Sequence, residues 1–120
     1  MEQATAVAIF TSLSSPVRLQ VFRLLLEHEP RGLVAGEIAD QLGLPPANLS
    51  FHLKTLTHVG LVLNTQYGRF QRYRAHVEMM QQLIAYMTGL CCAEHPEQCP
   101  VSEGMRGNPS WRVKARNAAE

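Results

Sequence analysis

Residues 38–62 read IADQLGLPPANLSFHLKTLTHVGLV, and the spacing of apolar and turn-forming residues in this stretch decides the fold. The segment that enters it, VAGEIADQLG from Val34, puts Val34, Ile38, Ala39 and Leu42 on one side of a predicted short helix. Gly43 stops that helix, because glycine takes the left-handed backbone of a helix end without a side-chain clash. Leu44, Pro45 and Pro46 form a tight connector. A second helix is expected from about Pro46 to His58, with Leu49, Leu53 and Leu56 on its buried face. Ala47, Asn48, Ser50, Phe51, Lys54 and Thr55 fall on or near the opposite face. Two short helices joined by a glycine-containing turn, the second with a small and polar outer face, make a helix-turn-helix.

The flanking segments extend this unit in both directions. Downstream, LVLNTQYGRFQRYRA alternates Leu61, Leu63 and Thr65 with Val62, Asn64 and Gln66. Tyr67 and Gly68 are the expected turn, and Phe70 and Tyr73 flank arginines on the return, which is a β-hairpin pattern. A hairpin after a helix-turn-helix is a wing. Arg69 lies at its tip and Arg72 and Arg74 follow, placed to reach phosphates or the minor groove. Upstream, Ser15 and Pro16 mark a helix start, and Val17, Val21, Leu24 and Leu25 give a buried stripe to about Glu27. HEPRG at 28–32 breaks it. Residues 5–13, TAVAIFTSL, are expected to form a short first helix.

The last helix is predicted over about His76 to Leu90, with Met80, Leu83, Ile84, Met87 and Leu90 in a stripe of the kind that serves core or partner packing. A small domain has one core, which the central helices and wing already supply. The first and last helices are therefore expected to form a dimer interface. The predicted fold is mainly α (α+β): a winged helix-turn-helix with a two-stranded β-wing, dimerised through its first and last helices. Residues 1–92 make the DNA-binding and dimerisation domain. Residues 93–120 make a C-terminal segment with the third cysteine, then a flexible tail poor in large apolar residues.

The chain has 120 residues, a length that suits one such domain. It contains no apolar run long enough for a membrane span and no secretory signal pattern. A net charge of +1 argues, taken as an average, against binding nucleic acid. Position reverses that inference. From Gln41 to Val77 there is no Asp or Glu, while the same stretch holds Lys54, Arg69, Arg72, Arg74 and three histidines. The acids lie on either side. A local cationic surface is the footprint that a phosphate backbone requires. The 3 cysteines, Cys91, Cys92 and Cys99, are an odd number gathered in CCAEHPEQC. That is no disulfide framework, so reduced thiols in the cytoplasm are expected.

These pieces together resemble the ArsR/SmtB family of bacterial winged-helix repressors. The residues that carry the resemblance are SSPVRLQVFRLL from Ser14, the opening stretch, and YGRFQRYRA from Tyr67. Its most specific element is LSFHLKTLTHVGLV, through Ser50, His52, Leu53, Leu56, Gly60, Leu61 and Val62. The resemblance covers roughly residues 5–92. It implies a homodimer that binds an inverted-repeat operator in double-stranded DNA, represses its own operon, and leaves the DNA when a metal ion, a metalloid or an oxidant acts on it.

The resemblance also assigns DNA-facing residues. Asn48 and Ser50 occupy the first turns of the recognition helix, where the family places groove-reading side chains. Phe51 departs from the polar residue usual there; its ring either touches a thymine methyl or packs on the wing. Lys54 reads as a phosphate contact. His52 reads as a hydrogen-bonded, packed histidine in preference to a base reader.

The family is divided by where its ion ligands lie. The helix before the recognition helix has no cysteine, so the best-known arsenic site is absent. His76 and Glu78 open the last helix without a second pair on the same face, which leaves the zinc-type site incomplete. Cys91, Cys92 and Cys99 instead resemble an arsenite-responsive branch with a vicinal pair and a third cysteine further on. Thiolates favour soft ions, and trivalent arsenic takes three sulfurs; Sb(III) is chemically similar. Other readings stand beside this one. Adding His95 makes a Cys₃His site for zinc, cadmium or lead. A thiol–disulfide switch and inert thiols are two more. An enzyme with a nucleophilic thiol would need a further motif, and neither C-x-x-C nor a phosphate loop is present. An ion-indifferent architectural DNA binder is the remaining alternative.

Overall fold

The computed structural model describes residues 1–89, in the order α1 (Gln3–Leu13), α2 (Pro16–Glu27), β1 (Leu33–Val34), α3 (Ala35–Leu42), α4 (Pro46–His58), β2 (Val62–Tyr67), β3 (Phe70–Ala75) and α5 (Val77–Thr88). The chain divides into two compact units, Met1–Gln81 and Gln82–Glu120. The first contains the winged helix. Of the second, the described residues are 82–89, where Leu83 is buried and Tyr86 and Met87 are exposed. The expected division at residue 92, Leu90 of the apolar stripe, the three cysteines and His95 lie outside the described residues.

Local chemistry explains where the helices begin and end. Ser15 caps α2, its hydroxyl accepting the Arg18 backbone N–H at 3.3 Å, and Pro16 takes the first helical position. At α3 the cap residue is Val34, which has no side-chain acceptor. The Glu37 carboxylate reaches back instead and accepts the Val34 N–H at 3.0 Å. Gly43 closes α3 at φ +65°, as its position after Leu42 predicts. Pro46 opens α4.

The core lies where these elements meet. Ile9 from α1, Val21 and Leu25 from α2, Leu33 from β1 and Ile38 from α3 are at most 2% exposed. So are Leu49, Leu53 and Leu56 from α4, with Leu61 and Val62 at the entry to the hairpin. The three leucines of α4 are the row that the sequence spacing predicts.

The sheet extends the expectation. The wing is the two-stranded hairpin β2–β3, but β1 adds a third strand in the antiparallel order β1-β3-β2, with Leu33 opposite Tyr73 and Val34 opposite Arg72. Two residues carry no alternation pattern, so this strand is invisible to periodicity. Its approach depends on Gly32, which has φ +78°. A β carbon there would sit 2.5 Å from the Tyr73 carbonyl oxygen and 2.6 Å from Arg74 Cγ. The hairpin turn also differs by one residue from its expected place. Tyr67 pairs with Phe70, so the turn is Gly68–Arg69, with Gly68 at φ +62°. Arg69 remains at the tip. The last helix starts at Val77, one residue later than expected, and the first begins at Gln3, two residues earlier.

Candidate nucleic-acid interface

The burial of Leu49, Leu53 and Leu56 fixes which way α4 faces. One helical face is locked into the core, so the other must look outward. Asn48, Ser50, Phe51 and Lys54 are all exposed on that outer side. Phe51 is 67% exposed, so the wing does not cover its ring. Its neighbour is His52, edge-on at 5.9 Å between ring centroids with an interplanar angle of 77°.

His52 is half-buried and bonded inward. Arg18 Nη1 lies 3.2 Å from His52 Nδ1. A guanidinium only donates, so Nδ1 is the acceptor and the imidazole proton sits on Nε2. The same Arg18 donates from Nε to the Ser12 carbonyl oxygen at 2.5 Å. Arg18 thus ties the end of α1 and the start of α2 to the recognition helix. This agrees with reading His52 as a packed, hydrogen-bonded histidine. Nothing in the sequence pattern of α2 marks Arg18 for that part.

Between α4 and the hairpin lies an open cleft of about 350 Å³, lined by Ser50, Lys54, Thr57, His58, Asn64 and Tyr73. It carries one lysine and no acid. Thr57, His58, Asn64 and Tyr73 were not singled out by sequence spacing, because they belong to different elements that only the fold brings together.

The wing arginines separate into three situations. Arg69, in the turn, is exposed. Arg72 turns back: Nη1 lies 3.3 Å from the Gly32 carbonyl oxygen, and its guanidinium carbon sits 4.9 Å from the centre of the Tyr67 ring. Arg74 is engaged on both sides of its fork, Nε to Glu29 Oε1 at 3.3 Å and Nη2 to Oε2 at 3.0 Å. The hydrogen bond to Glu29, then the attraction of its charge, raise the Arg74 pKa above its already high ordinary value. Among the described residues, Lys54 and Arg69 form no ion pair. The cationic surface is therefore narrower than the sequence count of four, since Glu29 lies outside the acid-free stretch but folds onto it.

His76 donates from Nδ1 to the Gly60 carbonyl oxygen at 2.9 Å, with Glu78 two residues on. Among the described residues no group of three or more His, Cys, Asp or Glu side chains is arranged to hold a metal ion. No described helix is long and apolar enough to cross a membrane.

Residues 13–64 match the model of a helix-turn-helix domain. The chain is 31% identical over 100 residues to the HTH-type transcriptional regulator CmtR of Mycobacterium bovis and Mycobacterium tuberculosis, covering 77% of this chain and 82% of the relative. It belongs to the ArsR family of winged-helix transcriptional regulators. Two solved structures extend the likeness. One is the homodimeric winged helix-turn-helix DNA-binding domain of a possible ArsR-family regulator from Mycobacterium bovis, at TM-score 0.59 and 25% identity, covering 83% of this chain and 89% of that one. The other is described as a possible transcriptional regulator for arsenical resistance, at TM-score 0.57 and 25% identity, covering 72% and 88%. As an ArsR-family protein the chain is a DNA-binding transcriptional regulator and not an enzyme, which removes the thiol-enzyme alternative.

Proposed function

We propose that this ArsR-family regulator is a cytoplasmic homodimeric repressor that docks on an inverted-repeat operator and is released when As(III), or Sb(III), is bound by Cys91, Cys92 and Cys99. The observation that supports operator reading is the outer face of α4. Asn48, Ser50, Phe51 and Lys54 stand exposed above a leucine row that is fully buried. Asn48 has the donor–acceptor pair that suits adenine, and Ser50 suits a base edge or a phosphate. Lys54 and Arg69 supply charge to the backbone, while His52 and Arg72 brace the reading elements through their internal bonds. Two such heads engage successive major grooves about 34–36 Å apart.

Support for the dimer is the apolar surface left over on the first and last helices. Val7 and Phe10 of α1 are 54% and 47% exposed, and Met87 of α5 is 57% exposed. Support for the effector is chemical: three soft thiolates within CCAEHPEQC match an ion that takes three sulfurs. The relative described by arsenical resistance points the same way. Ion and DNA then oppose one another through a coupling typically of about 1–3 kcal/mol, felt equally from either side.

The test is fluorescence anisotropy of the DNA-bound full-length protein titrated in parallel with arsenite, antimonite, zinc, cadmium, lead and peroxide. Arsenite and antimonite are expected to release DNA. The combined Cys91→Ser, Cys92→Ser and Cys99→Ser variant is expected to bind DNA normally and ignore them. Arsenite release that survives this variant refutes the sensor assignment. Release by zinc, cadmium or lead alone replaces it with the Cys₃His site that includes His95, and release by peroxide alone replaces it with a thiol–disulfide switch.

A further inference from the structure

Phe51 is the most exposed large apolar side chain among the described residues, at 67%. It sits not on a spare face but among Asn48, Ser50 and Lys54, all exposed polar groups of α4. An apolar ring left in water on a polar surface is stabilised by whatever later covers it. The surroundings say what that is. No acid occurs from Gln41 to Val77, and Lys54 lies one turn along the helix from Phe51, so the complementary partner is polyanionic. The apolar group that a duplex offers on its major-groove floor is the C5-methyl of thymine.

Among the described residues the ring has one aromatic neighbour. Phe51 meets the edge of His52, and His52 is bonded through Nδ1 to Arg18, which is bonded in turn to the Ser12 carbonyl. The phenyl thus neighbours a half-buried histidine that is itself tied to α2. We propose that Phe51 is a specificity-determining residue that selects a thymine in each operator half-site by covering its C5-methyl group. The inference rests on the reading of α4 as the DNA-facing helix.

The experiment begins by selecting a tight duplex for the full-length protein from a randomised pool. Each thymine of that duplex is then replaced by uracil, which removes only the methyl. One symmetry-related thymine pair is expected to respond, with affinity falling about fourfold per half-site, the worth of one buried methyl-sized group. Phe51→Ala is expected to bind thymine and uracil duplexes equally, with unchanged thermal midpoint and unchanged dimer mass in sedimentation. Wild-type binding indifferent to uracil at every position overturns the proposal and leaves DNA binding standing. So does a uracil effect that persists in Phe51→Ala. A Phe51→Ala variant that loses its dimer mass overturns it as well, since the ring would then cover a second copy of the chain. If the wild type selects no duplex at all, the reading of α4 fails and this proposal falls with it.

Discussion

The recognition helix and the wing are adjacent, both lie in the acid-free segment, and they use their charged residues differently. On α4 the division is sharp. Leucines point in, and Asn48, Ser50, Phe51 and Lys54 point out with no ion pair among the described residues. On the hairpin three arginines stand within six residues, yet Arg74 is held by Glu29 and Arg72 by the Gly32 carbonyl and the Tyr67 ring. Charge counted along a chain is therefore not charge offered to a partner. The helix leaves its outer polar groups exposed, whereas the wing uses most of its cations to attach itself to the loop after α2.

The sharpest break of this comparison is between neighbours on α4. Leu53→Ala removes a side chain that is 1% exposed and is expected to cost about 2–5 kcal/mol of stability. Lys54→Ala, one residue on, is expected to stay within about 0.5 kcal/mol. Urea unfolding followed by circular dichroism checks both.

Two glycines compare the turns that support each region. Gly43→Ala places a β carbon in open space at φ +65°, so the expected loss is the backbone cost alone, about 1–2 kcal/mol. Gly32→Ala adds to the same backbone cost a β carbon 2.5 Å from the Tyr73 carbonyl. It is expected to lower the thermal midpoint further than Gly43→Ala and to loosen β1 from β3, read as faster amide exchange at Tyr73.

Salt dependence sharpens the contrast in charge. Lys54→Ala and Arg69→Ala are each expected to reduce the slope of log affinity against log salt by about one per half-site. Arg74→Gln is expected to leave that slope unchanged. It removes a partly exposed ion pair and should cost at most about 1 kcal/mol of stability. The raised Arg74 pKa means that its share of that stability is fully present below the ordinary arginine range and is lost only as pH rises above it. Across neutral pH Arg74 itself therefore adds no pH dependence.

How much of this was legible in the sequence follows the same line. The boundaries of α2 and α4 were readable because Ser15, Pro16 and Pro46 are chemical start signals. The outward-facing residues of α4 were readable because helical spacing places them opposite the leucines. Strand β1 was not, being two residues long. The hairpin turn was displaced by one because Gly68 takes the first turn position, leaving Tyr67 free to pair with Phe70. The pairings of His52 with Arg18 and of Arg74 with Glu29 were not readable either. They join residues 34 and 45 positions apart, and no local pattern encodes them.

The central claim is that the outer face of α4 reads sequence while Lys54 and the wing-tip Arg69 supply charge to the backbone. It is tested most directly by the ratio of affinities for a selected inverted repeat and a scrambled duplex of equal length. Asn48→Ala with Ser50→Ala is expected to collapse that ratio by at least about tenfold while scrambled-duplex binding is kept. Arg69→Ala is expected to weaken both duplexes alike and keep the ratio. A ratio that survives the α4 changes and falls with Arg69→Ala would contradict the account.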